Sequence, residues 1–323
     1  MTRLKILVTR KWPEAVEQAI AARYDATFNP DDRPLSEDAL RAAMREHDAL
    51  CPTITDRLHA DVLSAEGRRV RFIANYGAGL DHIDLDAARA AGIGVSNTPG
   101  VLTDATADLA MTLLLMTSRR TGEGERELRS SEWTGWRPTH MLGTSVTGKT
   151  LGLVGFGRIA KAVARRAHAG FGMDIVYHSR RGVDDPDAAA LGARRLASLG
   201  DVLAASDVVS LHVPGGAETR NLIDAAALAR MPAHAILINT ARGDVVDEEA
   251  LADALENGRI AGAGLDVFVG EPNVSARLRG APNTVLLPHL GSATVETREA
   301  MGMRALANLD AFAAGETPAD LRT

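Results

Sequence analysis

The sequence predicts an α/β protein built from two doubly wound parallel-sheet domains. Short apolar runs alternate with stretches of helical spacing along the whole chain, and strands separated by helices imply βαβ units with parallel strands. The chain has 323 residues, more than one hydrophobic core usually serves, which argues for two domains. The strand–helix pattern also occurs twice, on either side of a long segment rich in alanine and leucine.

In the first half, "KILVTR", "HDALCPT", "RVRFIANYGAG" and "IGVSNTPG" read as strands, and "PEAVEQAIAARY" reads as a helix. The segment from Thr103 to about Arg129, with "TDATADLAMTLLLMTSRR", is read as a helix buried nearly all round, against a domain or a partner. In the second half, "KTLGLVGFG", "MDIVYHS", "DVVSLHVPG", "AILINTARG", "AGAGLDVF" and "TVLLPHLG" are the expected strands. "EEALADALENGRIAGAG" is a helix ended by Gly258. A late helical stretch, "TVETREAMGMRALANLDAFAAG", follows the last strand and suits a return to the first domain.

Composition narrows the function classes. Apolar residues make up 46% and charged residues 24%, ordinary values for a globular protein. A formal net charge of −6 disfavours general attraction to nucleic acid. Cys51 is the one cysteine, so no intrachain disulfide forms, which fits a reducing compartment; its ordinary role is a small packed residue. No apolar run reaches the length of a membrane span, and a cytoplasmic protein is expected.

"VGFGRIA" places Gly155, Gly157 and Ala160 in a G-x-G-x-x-A spacing after an apolar strand and before a helix. Gly155 permits the tight turn, Gly157 lets the backbone approach a pyrophosphate, and Ala160 lets helix and strand pack closely. The helix N-terminus adds free N–H groups and partial positive charge. In that context the turn predicts dinucleotide binding. About twenty residues on, such folds place an Asp or Glu against the ribose hydroxyls. Here "VYHSRRGVDD" offers His178, Ser179, Arg180 and Arg181, with Asp184 and Asp185 arriving too late. A hydroxyl and two guanidinium groups suit a 2′-phosphate, so NADPH is expected in preference to NADH.

Three further stretches end predicted strands with a polar residue: "INTARGDVVDE" with Arg242, "LDVFVGEPN" with Glu271 and "LLPHLGSAT" with His289. Singly, each is ordinary: a solvated Arg, a turn, a His bonded to backbone. Together they form a chemical set at the strand ends where ligands bind in open α/β sheets. Reducing an α-keto acid needs an anchor for the carboxylate, which an Arg fork supplies, and a proton donor, which His supplies. A carboxylate beside the His orients it and favours its protonated form.

On these motifs the chain resembles the D-isomer-specific 2-hydroxyacid dehydrogenases, and most closely their glyoxylate/hydroxypyruvate reductase branch. "NYGAGLDHID", "GKTLGLVGFGRIA", "LHVP", "NTARGDVVDE", "GLDVFVGEP" and "LPHLGSAT" carry the resemblance over nearly the whole chain. It implies a Rossmann cofactor domain, residues 100–289, inserted in a flavodoxin-like substrate domain, residues 1–99 and 290–323. It implies that Arg242 binds the substrate carboxylate and polarises the carbonyl. His289 is then acid in reduction and base in oxidation, Glu271 holds His289, and Asp266 meets the nicotinamide amide. Tyr76, Gly77, Ala78 and Gly79 are implied as carboxylate donors. The cofactor site is implied to include Phe156, Arg158 and Ile159 in the glycine turn, and His212, Val213, Pro214 and Thr219 after the "LHVP" strand. Thr240 and Ala241 flank Arg242 there, and Thr106 and Gly291 complete the set.

His212 is otherwise read as a strand-end cap, and His82, His140, His168, His178 and His234 show no metal-ligand spacing, so no metal is expected. Trp133 and Trp136, in "EWTGWRPTHMLG", read as anchors of an arm; the resemblance implies that Trp136 reaches a partner's active site. A homodimer built on Thr103–Arg129 and this arm is therefore expected, with a small 2-keto or 2-hydroxy acid as the other partner. Two alternatives stand. One is a D-3-phosphoglycerate dehydrogenase-like enzyme, many of which carry a further regulatory domain. The other is a non-enzymatic dinucleotide sensor like the corepressors that share this fold. Formate oxidation fits less well, since it needs no proton relay.

Overall fold

The computed structural model describes residues 3–180 and 185–323. The chain divides into two compact units, Met1–Leu102 with Ser292–Thr323, and Thr103–Gly291.

The first unit is organised on five parallel strands: β1 (Lys5–Val8), β2 (Asp25–Phe28), β3 (Ala49–Cys51), β4 (Phe72–Ala74) and β5 (Gly94–Ser96). Their order, β2-β1-β3-β4-β5, is the flavodoxin-like arrangement of doubly wound sheets. Side chains alternate across a strand, and both faces here are buried. Ile6, Val8, Phe72 and Ala74 join one core with Trp12, Val16, Ile20, Met301 and Leu309. Leu7, Leu50 and Ile73 join the opposite core with Leu40, Met44, Leu58 and Leu63. The late helix, Val295–Ala313, supplies Met301, Ala305 and Leu309 to the first of these, so the chain does return to this unit.

The second unit carries β6 (Thr150–Val154), β7 (Asp174–His178), β8 (Arg194–Arg195), β9 (Val208–Leu211), β10 (Ile236–Asn239), β11 (Gly262–Leu265) and β12 (Thr284–Leu286). The order is β12-β11-β10-β9-β6-β7-β8, parallel throughout. Counted from β6, this is the Rossmann order with one added strand, and the switch point lies between β6 and β9. One face packs on the helices Thr103–Ser118 and Arg158–Phe171 through Ala107, Ala110, Leu114, Ala160, Val163 and Ala167. The other packs through Leu203, Leu228, Leu251, Leu255 and Leu278. Among the described residues no helix is long and apolar enough to cross a membrane.

The segment expected as one helix over Thr103–Arg129 is two helices. Thr103–Ser118 ends, Arg120 adopts a left-handed φ of 51°, and Thr121–Arg129 follows. Arg120 ties the break to the new first turn through Glu123 Oε2 at 2.5 Å. Within the single chain Asp104, Asp108 and Thr112 face outward, and the second helix buries no residue. β2 and β8 were not anticipated; both are short strands at sheet edges, whose mixed polar sequences "DATF" and "RR" carry little apolar signal. The junctions fall at 102/103 and 291/292, rather than 99/100 and 289/290. Gly291 stays with the second unit because Asp266 Oδ2 accepts its N–H at 2.8 Å and its carbonyl accepts Thr106 Oγ1 at 2.9 Å.

Candidate active site

Three strand-end segments of the second unit assemble the candidate catalytic groups. Asn239 ends β10, and its side chain stabilises the next turn: Nδ2 donates to Arg242 O at 2.8 Å and Oδ1 accepts from Ala241 N at 3.0 Å. Gly243 follows, and a Cβ there would lie 2.0 Å from the Phe268 carbonyl carbon. Only glycine lets the Arg242 turn approach the Phe268–Val269 backbone so closely, and that backbone leads to Glu271. Arg242 Nη1 donates to Ala241 O at 2.8 Å.

Beyond β11, Asp266 is buried and organises the β12 exit. Its carbonyl accepts His289 N at 2.9 Å. Its carboxylate accepts Leu290 N at 2.6 Å and Gly291 N at 2.8 Å. These three successive amides hold His289 at a φ of 55°, a left-handed conformation that costs a non-glycine residue about 1–3 kcal/mol. Burial raises the Asp266 carboxyl above its ordinary range, against the opposing pull of the Leu290 amide, the His289 charge and the Gly291 amide.

Glu271 completes the group. Its Oε2 pairs with His289 Nδ1 at 2.8 Å, and its Oε1 accepts Phe268 N at 2.9 Å. Burial opposes ionisation of Glu271, but the His289 hydrogen bond and charge, the Phe268 amide and the Arg242 charge outweigh it, so the carboxyl sits below the usual range. With Nδ1 engaged by Glu271, Nε2 is the ring atom left for proton exchange with a substrate.

The glycine turn fits a dinucleotide. Gly155 has a φ of 90°, and a Cβ there would meet His212 O at 2.6 Å, so the β6 turn and the β9 exit pack backbone to backbone. At Gly157 a Cβ would meet nothing within 4 Å, which leaves the backbone approachable. The helix Arg158–Phe171 begins there with no acidic residue in its first turn, a favourable setting for an anion. Phe156 stacks on Tyr177 at 3.9 Å between ring centroids. His212 donates or accepts with Ser210 Oγ at 2.9 Å, and burial pushes its pKa down to about 4; a neutral imidazole there agrees with a structural role. Thr219 Oγ1 donates to Pro214 O at 2.7 Å, closing the loop that follows Val213.

At the ribose end, Gly155 N donates to His178 O at 2.9 Å. Ser179 O accepts Arg195 Nη2 at 3.2 Å. Arg180 pairs with Glu218, with side chains 70% and 75% exposed. Asp185 pairs with Lys161 at 2.6 Å and caps the helix Pro186–Ala190. Arg181 and Asp184 lie outside the described residues. Among the described residues no group of three or more His, Cys, Asp or Glu could hold a metal ion.

Tyr76, Gly77, Ala78 and Gly79 follow β4 in the first unit. Tyr76 N donates to Pro52 O at 2.9 Å, its hydroxyl donates to Arg298 O at 2.7 Å, and its ring lies 4.5 Å from that of Trp12. Trp133 and Trp136, expected to anchor the arm, are 51% and 81% exposed. Sequence reasoning missed Asn239 and Gly243, although a buried Asn at a strand end followed closely by Gly is a legible sign of a turn held from inside.

Residues 111–291 match the family description "D-isomer specific 2-hydroxyacid dehydrogenase, NAD binding domain". The chain is 45% identical over 321 residues to the glyoxylate reductase of Thermococcus litoralis, covering 98% of this chain and 96% of that protein. It is 41% identical over 315 residues to the glycerate dehydrogenase of Hyphomicrobium methylovorum, covering 98% of each. Among solved structures, the NADPH-dependent glyoxylate/hydroxypyruvate reductase of Sinorhizobium meliloti, in complex with citrate, superimposes with a TM-score of 0.87 at 36% identity. That match covers 99% of this chain and 98% of the other.

Proposed function

Because this chain belongs to the D-isomer-specific 2-hydroxyacid dehydrogenase family, whose members are oxidoreductases, we propose that it reduces glyoxylate or hydroxypyruvate to the D-2-hydroxy acid with NADPH. The observation that carries the reading is the His289–Glu271 pair at 2.8 Å, with the Arg242 charge acting on the same carboxylate. Arg242 binds the substrate carboxylate and polarises the ketone. His289 Nε2 gives the proton to the carbonyl oxygen in reduction and takes it back in oxidation. Glu271 keeps the ring oriented and balances its charge. The nicotinamide, when bound, supplies the hydride. The first unit is the substrate domain, and its Tyr76–Gly79 loop is assigned to the carboxylate on the family resemblance.

The NADPH preference is supported by the ribose end, where β7 ends in His178, followed by Ser179, rather than in an acid, and the neighbouring Asp185 is engaged by Lys161. Arg180 supplies a cation for a 2′-phosphate. Its exposed pairing with Glu218 is worth at most about 1 kcal/mol, so that pairing is readily exchanged for a phosphate.

Cofactor oxidation followed with glyoxylate, hydroxypyruvate, pyruvate and phosphohydroxypyruvate, each with NADH and NADPH, tests the proposal. A marked preference for phosphohydroxypyruvate would instead favour a phosphoglycerate dehydrogenase, and absence of turnover would favour a dinucleotide sensor. We also propose a homodimer, supported by the exposed Leu128, Trp133, Trp136 and Leu142 at 63%, 51%, 81% and 66%, an apolar series of the kind that marks protein interfaces. A monomer in sedimentation at micromolar concentration would refute it.

A further inference from the structure

The loop Tyr76–Gly79 has an unusual distribution of hydrogen bonds. All three carbonyls of Gly77, Ala78 and Gly79 are engaged by the protein. Gly77 O accepts Asn75 Nδ2 at 3.1 Å and Thr98 N at 3.0 Å. Gly79 O accepts the same Asn75 Nδ2 at 3.0 Å. Ala78 O accepts Asn97 Nδ2 at 2.7 Å. In contrast, the N–H groups of Ala78 and Gly79 have no acceptor among the described residues. Peptide groups are dipoles, so a loop whose carbonyls all bond into the protein leaves its amides for an anion.

Two side-chain amides hold this arrangement, and each is itself held. An amide NH2 has two protons, and Asn75 spends both on Gly77 O and Gly79 O. Its Oδ1 can then only accept, and it meets His82 Nε2 at 3.0 Å, which requires the proton on Nε2. Asn75 is 0% exposed and His82 8%, so water does not substitute readily for either. The second amide, Asn97, points Nδ2 at Ala78 O while its Oδ1 accepts Arg322 Nε at 2.9 Å. Arg322 is placed by an antiparallel bridge between Ser96 and Leu321 and by its own N–H to Val95 O at 2.7 Å. The orientation of both amides is thereby determined from outside the loop.

We propose that Asn75 with His82, and Asn97 with Arg322, are positioning residues that fix the carbonyls of Gly77–Gly79 inward and present the Ala78 and Gly79 amides to the carboxylate of a small 2-keto acid. This rests on the substrate reading above and deepens it. None of the four side chains needs to touch substrate; they act through the loop. Because the carboxylate is shared by all 2-keto acids, the clamps set affinity in general and leave the choice of side chain to other residues.

Steady-state kinetics on Asn75→Asp, Asn97→Ser and Arg322→Met test this. Asn75→Asp keeps the shape but turns two donors into acceptors facing two carbonyls. It should raise KM for glyoxylate and hydroxypyruvate by a similar factor, roughly tenfold to hundredfold, the worth of one charge-assisted bond. KM for the cofactor should stay within about twofold, and kcat should fall less than KM rises. Arg322→Met, at an exposed side chain, should raise the keto-acid KM roughly twofold to fivefold, and Arg322→Lys should restore part of it. If Asn75→Asp does not fold, the other two variants decide. The inference is overturned if folded variants keep the wild-type keto-acid KM, or if cofactor KM moves in parallel. Failure of the wild type to turn over any 2-keto acid would instead remove the substrate reading itself.

Discussion

Glu271 holds His289 by the ring, Oε2 to Nδ1 at 2.8 Å, while the Phe268 amide holds the other oxygen of the same carboxylate at 2.9 Å. The carboxylate can neither rotate away nor offer a different oxygen without breaking one of the two bonds.

His289→Ala should therefore lower kcat by about 10²–10⁴, the usual worth of a general acid, with a smaller effect on KM. Glu271→Gln should lower kcat roughly tenfold to hundredfold, less than loss of the acid itself. Arg242→Ala should raise KM and lower kcat together. Wild-type turnover by His289→Ala would contradict the assigned chemistry. The acid side also has a defined sign. The Glu271 carboxyl is held below its ordinary value of 4.5, so the carboxylate is fully ionised above that pH, and its contribution is lost as pH falls through the lower folded value.

Asp266 acts on the same histidine through the main chain. Its two carboxylate oxygens accept Leu290 N and Gly291 N, and Asp266→Asn would set an NH2 against one of those donors. The expected result is a kcat loss of roughly tenfold or more together with destabilisation of about 1–3 kcal/mol for an unsatisfied buried amide. Denaturant unfolding beside kinetics checks it; unchanged stability would mean that the left-handed His289 backbone needs no such support.

Cofactor choice can be separated from catalysis. Wild-type kcat/KM should favour NADPH over NADH by at least about tenfold. Replacing Arg180 and Arg181 together by Ala should weaken NADPH selectively and barely affect NADH. Glu218→Ala, which frees Arg180 from its partner, should strengthen NADPH slightly. Equal or better kcat/KM with NADH in the unmodified protein would sink the idea.

Asp320 provides a stability test in the first unit. It is 4% exposed and accepts Arg304 Nε at 2.7 Å, Arg304 Nη2 at 3.0 Å and Asn308 Nδ2 at 3.0 Å. Arg304 and then Asn308, against the cost of burial, hold its carboxyl below the ordinary 3.8. Its stabilisation is thus complete above that value and lost as pH falls through the folded one. Asp320→Ala should cost about 2–4 kcal/mol at neutral pH and flatten the acid limb of the stability curve. An unchanged midpoint in urea at pH 7 would refute this.

Much of this protein was determined by the sequence alone. Apolar runs such as "KILVTR" and "AILINTARG" specify buried parallel strands because both faces must be apolar when helices cover both. The glycine turn was legible because Gly155 and Gly157 answer to local backbone demands that any reader of the chain can recognise. Arg242, Glu271 and His289 were legible as polar residues at strand ends, where packing gives them no reason to be. Edge strands such as β8, and the break at Arg120, were not, because neither leaves an apolar period.

The three-dimensional arrangement decided how those residues pair. Which oxygen of Glu271 meets which nitrogen of His289, which amides Asp266 holds, and how Arg322 fixes the Asn97 amide depend on residues 18 to 225 positions apart in the chain. No local period encodes such pairs, since hydrogen-bond geometry over ångströms follows from how the sheets and their connecting loops pack. Sequence pattern specifies which side of each element is buried; only the folded chain determines which polar atoms are left facing one another.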